Sequence, residues 1–210
     1  MVKKEYSYVG ISFIILVFGI WAVYNLEGFL NKPELATIGP VPEFEFTNQR
    51  GETITNANYE GKVYVVDFFF TTCPTICPVM SRNMVKLQDE FFGNPNFGVA
   101  SFSIDPTYDT PEVLQAYAES YGITNPNWHL MTGEKIDIHT LANNGFNLYV
   151  AQDETAEGGF EHSGFFALID QQGNIRSRLD EYGNPIVYYN GTEADQIQIL
   201  KEDIKQLLEQ

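Results

Sequence analysis

The apolar positions of this chain fall into two kinds of run. The first is long and unbroken. From Tyr6 to Leu26, 21 residues carry no charge, and they include Gly10-Ile11-Ser12-Phe13-Ile14-Ile15-Leu16-Val17-Phe18-Gly19-Ile20-Trp21. A helix needs ~20 such residues to span a bilayer. All later runs are short and punctuated. Val63-Tyr64-Val65-Val66-Asp67-Phe68-Phe69-Phe70 is β-branched and aromatic, which predicts a buried central strand. Pro78 suits a first helical turn, and Met80 to Phe92 continues as a helix. Phe97 to Ile104 is the next strand. Thr110-Pro111 opens a helix that Gly122 closes. Trp128 to Met131 is a short strand, Ile136 to Asn143 a helix, and Phe146 to Val150 extended. Phe165 to Ile169 and Ile175 to Leu179 form a hairpin across Asp170 to Asn174, and Asp180 to Asn190 is irregular. Ala194 to Leu208 is a closing amphipathic helix.

Between the long run and the short ones, Glu27 to Pro42 holds Gly28, Pro33, Gly39, Pro40 and Pro42 with little periodicity, as a tether would. Phe44 to Thr47 then alternates and meets a polar turn, which predicts a hairpin. The expected organisation is therefore an N-terminal anchor over residues 1–26, a linker over 27–42 and one domain over 43–210. A signal-peptide apolar region is shorter, and no small-x-small cleavage site follows the long run. Lys3 and Lys4 precede it, so the N-terminus should stay inside and the domain be exported. No Arg-rich transit peptide precedes the run, so the expected location is a bacterial inner membrane, single-pass, with the domain in the periplasm. In a eukaryote the equivalent would be the mitochondrial inner membrane.

The whole chain has a formal charge of −16. Without Lys3, Lys4 and Glu5 the rest carries 10 basic against 27 acidic residues. A nucleic-acid partner wants a basic face, so that class is excluded.

Strands alternating with helices predict an α/β sandwich around a mainly parallel sheet. The chemistry sits at its first strand-to-helix turn, in Cys73-Pro74-Thr75-Ile76-Cys77-Pro78, which contains the only two cysteines. A helix N-terminus favours thiolate over thiol. A disulfide there would close a tiny loop and constrain the unfolded chain little. The pair is suited to redox exchange or to a soft metal such as Cu(I) or Zn(II). Two ligands are too few for a structural zinc site. His162, just before the strand at Phe165, is the candidate third ligand; as a surface residue it could equally cap a turn. A redox pair at the first βα turn with a terminal ββα is the thioredoxin-like order.

Elsewhere the sequence offers simpler readings. Asp105 and Asp109 bracket a turn before a helix, either as capping residues or as carboxylates behind the cysteines. Met80 and Phe68-Phe69-Phe70 read as core. His129 and His139 have no partner pattern, and Tyr188-Tyr189 suggests a partner surface by composition alone.

Four segments carry a family resemblance. Thr71-Thr72-Cys73-Pro74-Thr75-Ile76-Cys77-Pro78 resembles the cysteine motif of the Sco/SenC family. Asp105-Pro106-Thr107-Tyr108-Asp109-Thr110-Pro111-Glu112-Val113-Leu114 resembles its second signature, departing at Thr107-Tyr108, where the family often has Glu-Arg. His162-Ser163 before an apolar strand resembles its third, and Trp128 to Gly133 its W-x-L-x-TG segment. The resemblance covers roughly Pro42 to Ile175 plus the anchor. It implies a thioredoxin-like, membrane-anchored copper chaperone whose ligands are Cys73, Cys77 and His162, with Cu(I) favoured and Cu(II) admitted. The implied partner is the copper-centre subunit of cytochrome c oxidase or another copper-accepting protein. On this reading the chain is not an enzyme. The rival is a thiol:disulfide oxidoreductase that uses Cys73 and Cys77 and has no evident need of His162.

Overall fold

The computed structural model describes residues 5–30, 33–153, 155 and 158–210, with backbone alone for 5–7, 9, 23–30 and 161. The chain divides into two units, Met1–Glu34 and Leu35–Gln210. The first holds helix α1 (Glu5–Leu30). Among the described residues no helix is long and apolar enough to cross a membrane. The anchor expected over Tyr6 to Leu26 lies partly outside the residues whose side chains are described.

The second unit contains strands β1 (Leu35–Pro40), β2 (Glu45–Asn48), β3 (Thr53–Thr55) and β4 (Val63–Phe69). Helix α2 (Cys77–Glu90), strand β5 (Phe97–Ser103), helix α3 (Pro111–Tyr121) and strand β6 (Trp128–Thr132) follow. Next come helix α4 (Lys135–Thr140), a π turn (Leu141–Gly145), and strands β7 (Val150–Gln152) and β8 (Phe160–His162). Strands β9 (Phe165–Ile169), β10 (Asn174–Arg178) and β11 (Tyr189–Asn190) lead to helix α5 (Ala194–Leu208).

The main sheet runs β1-β10-β9-β4-β5-β6-β2-β3, with β11 added on β9, while β7 and β8 pair separately. Among the described residues only β4, β5 and β6 are parallel neighbours. The remaining pairs, including β4 with β9 and β6 with β2, are antiparallel. The sheet is thus mixed, not mainly parallel. A helical crossover imposes a parallel pair, and within this sheet only α2 and α3 link adjacent strands that way. The flanks are filled by hairpins and returning segments, which run antiparallel. The linker expected over 27–42 is also shorter than read. Leu35–Pro40 pairs with β10 around an irregularity between Thr37 and Gly39, so the domain begins before residue 43. Its partner lies some 140 residues away in sequence, and its Gly and Pro masked the strand pattern.

Every residue of β4 and β5 is buried, as expected for central strands covered on both faces. Phe68 stacks on Phe102, which meets Phe44 and Phe46 edge-on. Helix α3 is defined by local chemistry: Thr110 Oγ1 accepts from Val113 N–H, Pro111 sits in the first turn, and Gly122 ends it at φ 68 in the left-handed region. Register then aligns the ends. Phe69 faces Ser103, and Ile104 N–H donates to the Phe69 carbonyl at 2.9 Å. The loops after β4 and β5 therefore leave the sheet side by side. Because β9 runs antiparallel to β4, its first residues return to that same edge.

Candidate metal centre

Cys73 lies in the loop after β4, and its N–H donates to the Phe70 carbonyl at 3.3 Å. Cys77 is the first residue of α2, with Pro78 beside it in the first turn. The two thiols are thus one loop residue and one helical residue, not two positions on one helix. Both are unpaired and buried, at 7 % and 1 % exposure. His162 is the last residue of β8 rather than part of a loop entering β9. Phe70 meets its ring edge-on, 5.6 Å between centroids, and Phe160 packs on Phe70 at 5.4 Å. Lys135 lies over the Phe160 ring, 4.9 Å from its centroid.

These elements bring three ligand atoms together. The two Sγ atoms and one imidazole nitrogen all lie within 4.8 Å of one another. His162 Nε2 is 3.1 Å from Cys77 Sγ, and Nδ1 is 3.2 Å from the Ser163 carbonyl. A carbonyl only accepts, so Nδ1 carries a proton, and Nε2 is the nitrogen that faces the sulfurs. The thiols are electrostatically unequal. Cys73 is pulled down to about 3, first by its hydrogen bond with the Cys77 thiol and further by His162, with burial opposing. Cys77 is pushed up, first by its hydrogen bond with Cys73 and then by burial. Cys73 is therefore the more readily ionised sulfur, and Cys77 the one that holds its proton more tightly and must release it to bind a metal. The chemistry of two sulfurs and one unprotonated imidazole nitrogen fits a soft or borderline cation.

The remaining sequence candidates go elsewhere. Met80 is buried core at 1 % exposure. His139 Nε2–H donates to the Ile104 carbonyl at 2.9 Å. His129 Nδ1 accepts from Arg50 at 2.9 Å and Asn48 at 3.1 Å, and Arg50 also pairs with Glu52. Tyr189 is fully buried with its hydroxyl donating to Asp203 at 2.8 Å, so it is no partner surface. Asp109 does not cap α3, since Thr110 does; it turns inward. Two residues behind the site had little or no sequence signal. Asn143, in the π turn, bonds to the β7 backbone. Asp67 stands in β4, where a carboxylate inside an otherwise apolar run was the legible clue. Ser101 Oγ donates to it at 2.6 Å and burial raises it to about 7.

A thioredoxin-like domain with a Cys-x-x-x-Cys turn and one distant histidine is the class that fold and site define. The sequence model described as SCO1/SenC matches residues 34–194, more than half of the chain. The chain therefore belongs to the SCO1/SenC family. It is 31 % identical over 167 residues to the SCO1 protein homolog of Bacillus subtilis, covering 79 % of this chain and 81 % of that one. It is similar to the crystal structure of a SCO1/SenC family lipoprotein from Bacillus anthracis, with a TM-score of 0.71 and 32 % identity over 85 % of this chain and 98 % of the other. It also resembles BsSco, described as having a disulfide switch and as a member of the Sco family of cytochrome c oxidase assembly proteins. There the TM-score is 0.68, with 28 % identity over 82 % and 95 % of the two chains.

Proposed function

We propose that this chain carries copper as cargo and helps to metallate the copper centre of cytochrome c oxidase. The observation that carries this reading is the convergence of Cys73, Cys77 and His162 within 4.8 Å. Two thiolates and an imidazole suit Cu(I), with Cu(II) as the second form the set would accept. Cys73 is the sulfur that ionises more readily, Cys77 releases its proton on loading, and His162 offers Nε2 in the tautomer that the Ser163 carbonyl favours. Membership of a family that includes a cytochrome c oxidase assembly protein supports the choice of acceptor. The uncharged run from Tyr6 to Leu26 supports a single-pass inner-membrane anchor with the domain outside. Transfer proceeds by ligand exchange, as the acceptor's ligands replace these three one at a time.

The test is anaerobic copper titration of the reduced chain. One Cu(I) per chain is expected, with at least a tenfold loss of affinity in His162→Ala. Unchanged affinity in that variant removes His162 from the ligand set.

A second reading, thiol:disulfide exchange, is supported by the inequality of the two thiols. The Cys73 thiolate would attack an acceptor's disulfide to form a mixed disulfide. Cys77 would then close the Cys73–Cys77 disulfide and release the acceptor as a dithiol, moving two electrons, with one proton from Cys77 and the other from water. Turnover of a disulfide substrate in metal-free buffer, undiminished in His162→Ala, would favour it.

A further inference from the structure

Asp109 has no accessible surface. The donors that hold it are neutral. Thr71 N–H donates to Oδ2 at 3.1 Å, Ser103 Oγ donates to the same oxygen at 2.5 Å, and Thr71 Oγ1 donates to Oδ1. Among the described residues no ion pair reaches it. A carboxylate taken out of water without a counter-charge is destabilising unless its hydrogen bonds are complete. Helix capping does not account for it, because Thr110 performs that task. What Asp109 grips is the chain leaving β4 for the cysteine loop. Thr71 is bound through both its backbone and its side chain, and the next link is the turn in which Cys73 N–H meets the Phe70 carbonyl. The other two ligands have their own supports: Cys77 the first turn of α2, His162 the β7–β8 hairpin.

We propose that Asp109 is the positioning residue for Cys73, fixing that sulfur against Cys77 and His162 through Thr71. This rests on the copper-site reading, yet its consequences extend to the dithiol alone. Groups behind metal ligands typically cost 10–100-fold in affinity when removed. Asp109→Asn replaces one acceptor oxygen with a donor that faces other donors. Thr71→Val keeps the backbone bond and loses the hydroxyl, whereas Thr71→Ser keeps both. Asp203→Asn, at the remote Arg178 pair, serves as a purely structural control.

The experiment uses the reduced full chain and two readouts: Cu(I) affinity by chelator competition, and the equilibrium of the Cys73–Cys77 disulfide against glutathione. We expect Asp109→Asn and Thr71→Val to weaken Cu(I) binding 10–100-fold and to shift the disulfide equilibrium at least threefold. Thr71→Ser should stay within about twofold, and Asp203→Asn should lower the thermal midpoint without moving either readout. If Asp109→Asn fails to fold, Thr71→Val carries the test alone. Wild-type values in both Asp109→Asn and Thr71→Val overturn the proposal, and so does an equal loss in Asp203→Asn. A wild-type chain that binds no copper, but whose disulfide equilibrium still shifts in Asp109→Asn, would sink the copper reading and leave the positioning role standing.

Discussion

Asn143 holds Val150 from both sides of its residue: Oδ1 accepts from the Val150 N–H at 3.0 Å, and Nδ2 donates to the Val150 carbonyl at 2.9 Å. Val150 is the direct cross-strand partner of His162. The amide thus ties the π turn to the short hairpin that carries the imidazole, a hairpin whose strands have no other sheet neighbour among the described residues. Two-stranded ribbons are marginal on their own. Asn143→Ala should therefore loosen the hairpin, costing about 1–3 kcal/mol locally through two unpartnered backbone groups. Faster amide exchange from Val150 to His162, with unchanged exchange in β4 and β5, is the expected signature. Cu(I) affinity should fall by about tenfold. Uniform loss of protection across the domain would show that Asn143 stabilises the fold generally and does not act on the hairpin.

What the sequence revealed and what it hid divide along contact distance. The turn carrying Cys73 and Cys77 was legible because strand, proline and helix follow one another within a few residues. Helix α3 was legible from Thr110, Pro111 and Gly122, and α5 from its periodic apolar face. The antiparallel flanks were not, since β1 finds its partner in β10 only after the whole domain has passed. His162 was found through a family signature; spacing alone left it open between a ligand and a turn cap. Asp109 was left open between a helix cap and a carboxylate behind the cysteines, for a local reason. A carboxylate at a helix start resembles a cap, and only the register of Phe69 with Ser103 reveals that it faces Thr71.

Arg178 and Asp203 join the sheet to α5, with Nη2 2.6 Å from Oδ1 and the Asp203 side chain fully buried. Tyr189 donates to the other carboxylate oxygen. Removing one partner of a buried pair leaves a charge without its counter-ion, which typically costs about 3–5 kcal/mol. Arg178→Ala should fall at the low end, because Tyr189 remains and Arg178 is itself partly exposed. Chemical denaturation would give the number, and a loss below about 1 kcal/mol would place this pair with ordinary surface bridges.

Asp67 makes the domain less stable at neutral pH than it could be. Burial is the main cause of its rise from 3.8 to about 7, with Ser101 opposing. A raised carboxyl binds its proton more tightly when folded, so its contribution is fully present below pH 3.8 and is lost as pH climbs to about 7. Asp67→Asn removes that loss while keeping an oxygen to accept from Ser101. The variant should be more stable than wild type above pH 7, by on the order of 4 kcal/mol, and the gap should close toward pH 4. Thermal midpoints at pH 8 and pH 4.5 decide it; an equal difference at both values would mean that Asp67 acts by packing rather than by titration.

His129 produces the opposite slope. Burial, and then the Arg50 guanidinium beside it, hold the imidazole down at about 4, below its ordinary 6.5. Its Nδ1 accepts from both Arg50 and Asn48, an arrangement that protonation would break. A depressed histidine contributes stability that is present above pH 6.5 and is lost as pH falls from there toward 4. The ceiling is about 3 kcal/mol, reduced by whatever water reaches the ring. In wild type this loss on acidification runs against the gain from Asp67 across nearly the same window, so the net pH dependence between 4 and 7 should be shallow. His129→Gln, which keeps an acceptor for Arg50, should unmask the Asp67 slope, making the variant relatively more stable at pH 4.5 than at pH 8. Asp67→Asn should unmask the histidine slope in the other direction. If both variants show the wild-type profile, neither group titrates as its burial requires, and the hairpin β2–β3 is held by Arg50 and Asn48 without help from the charge state of the ring.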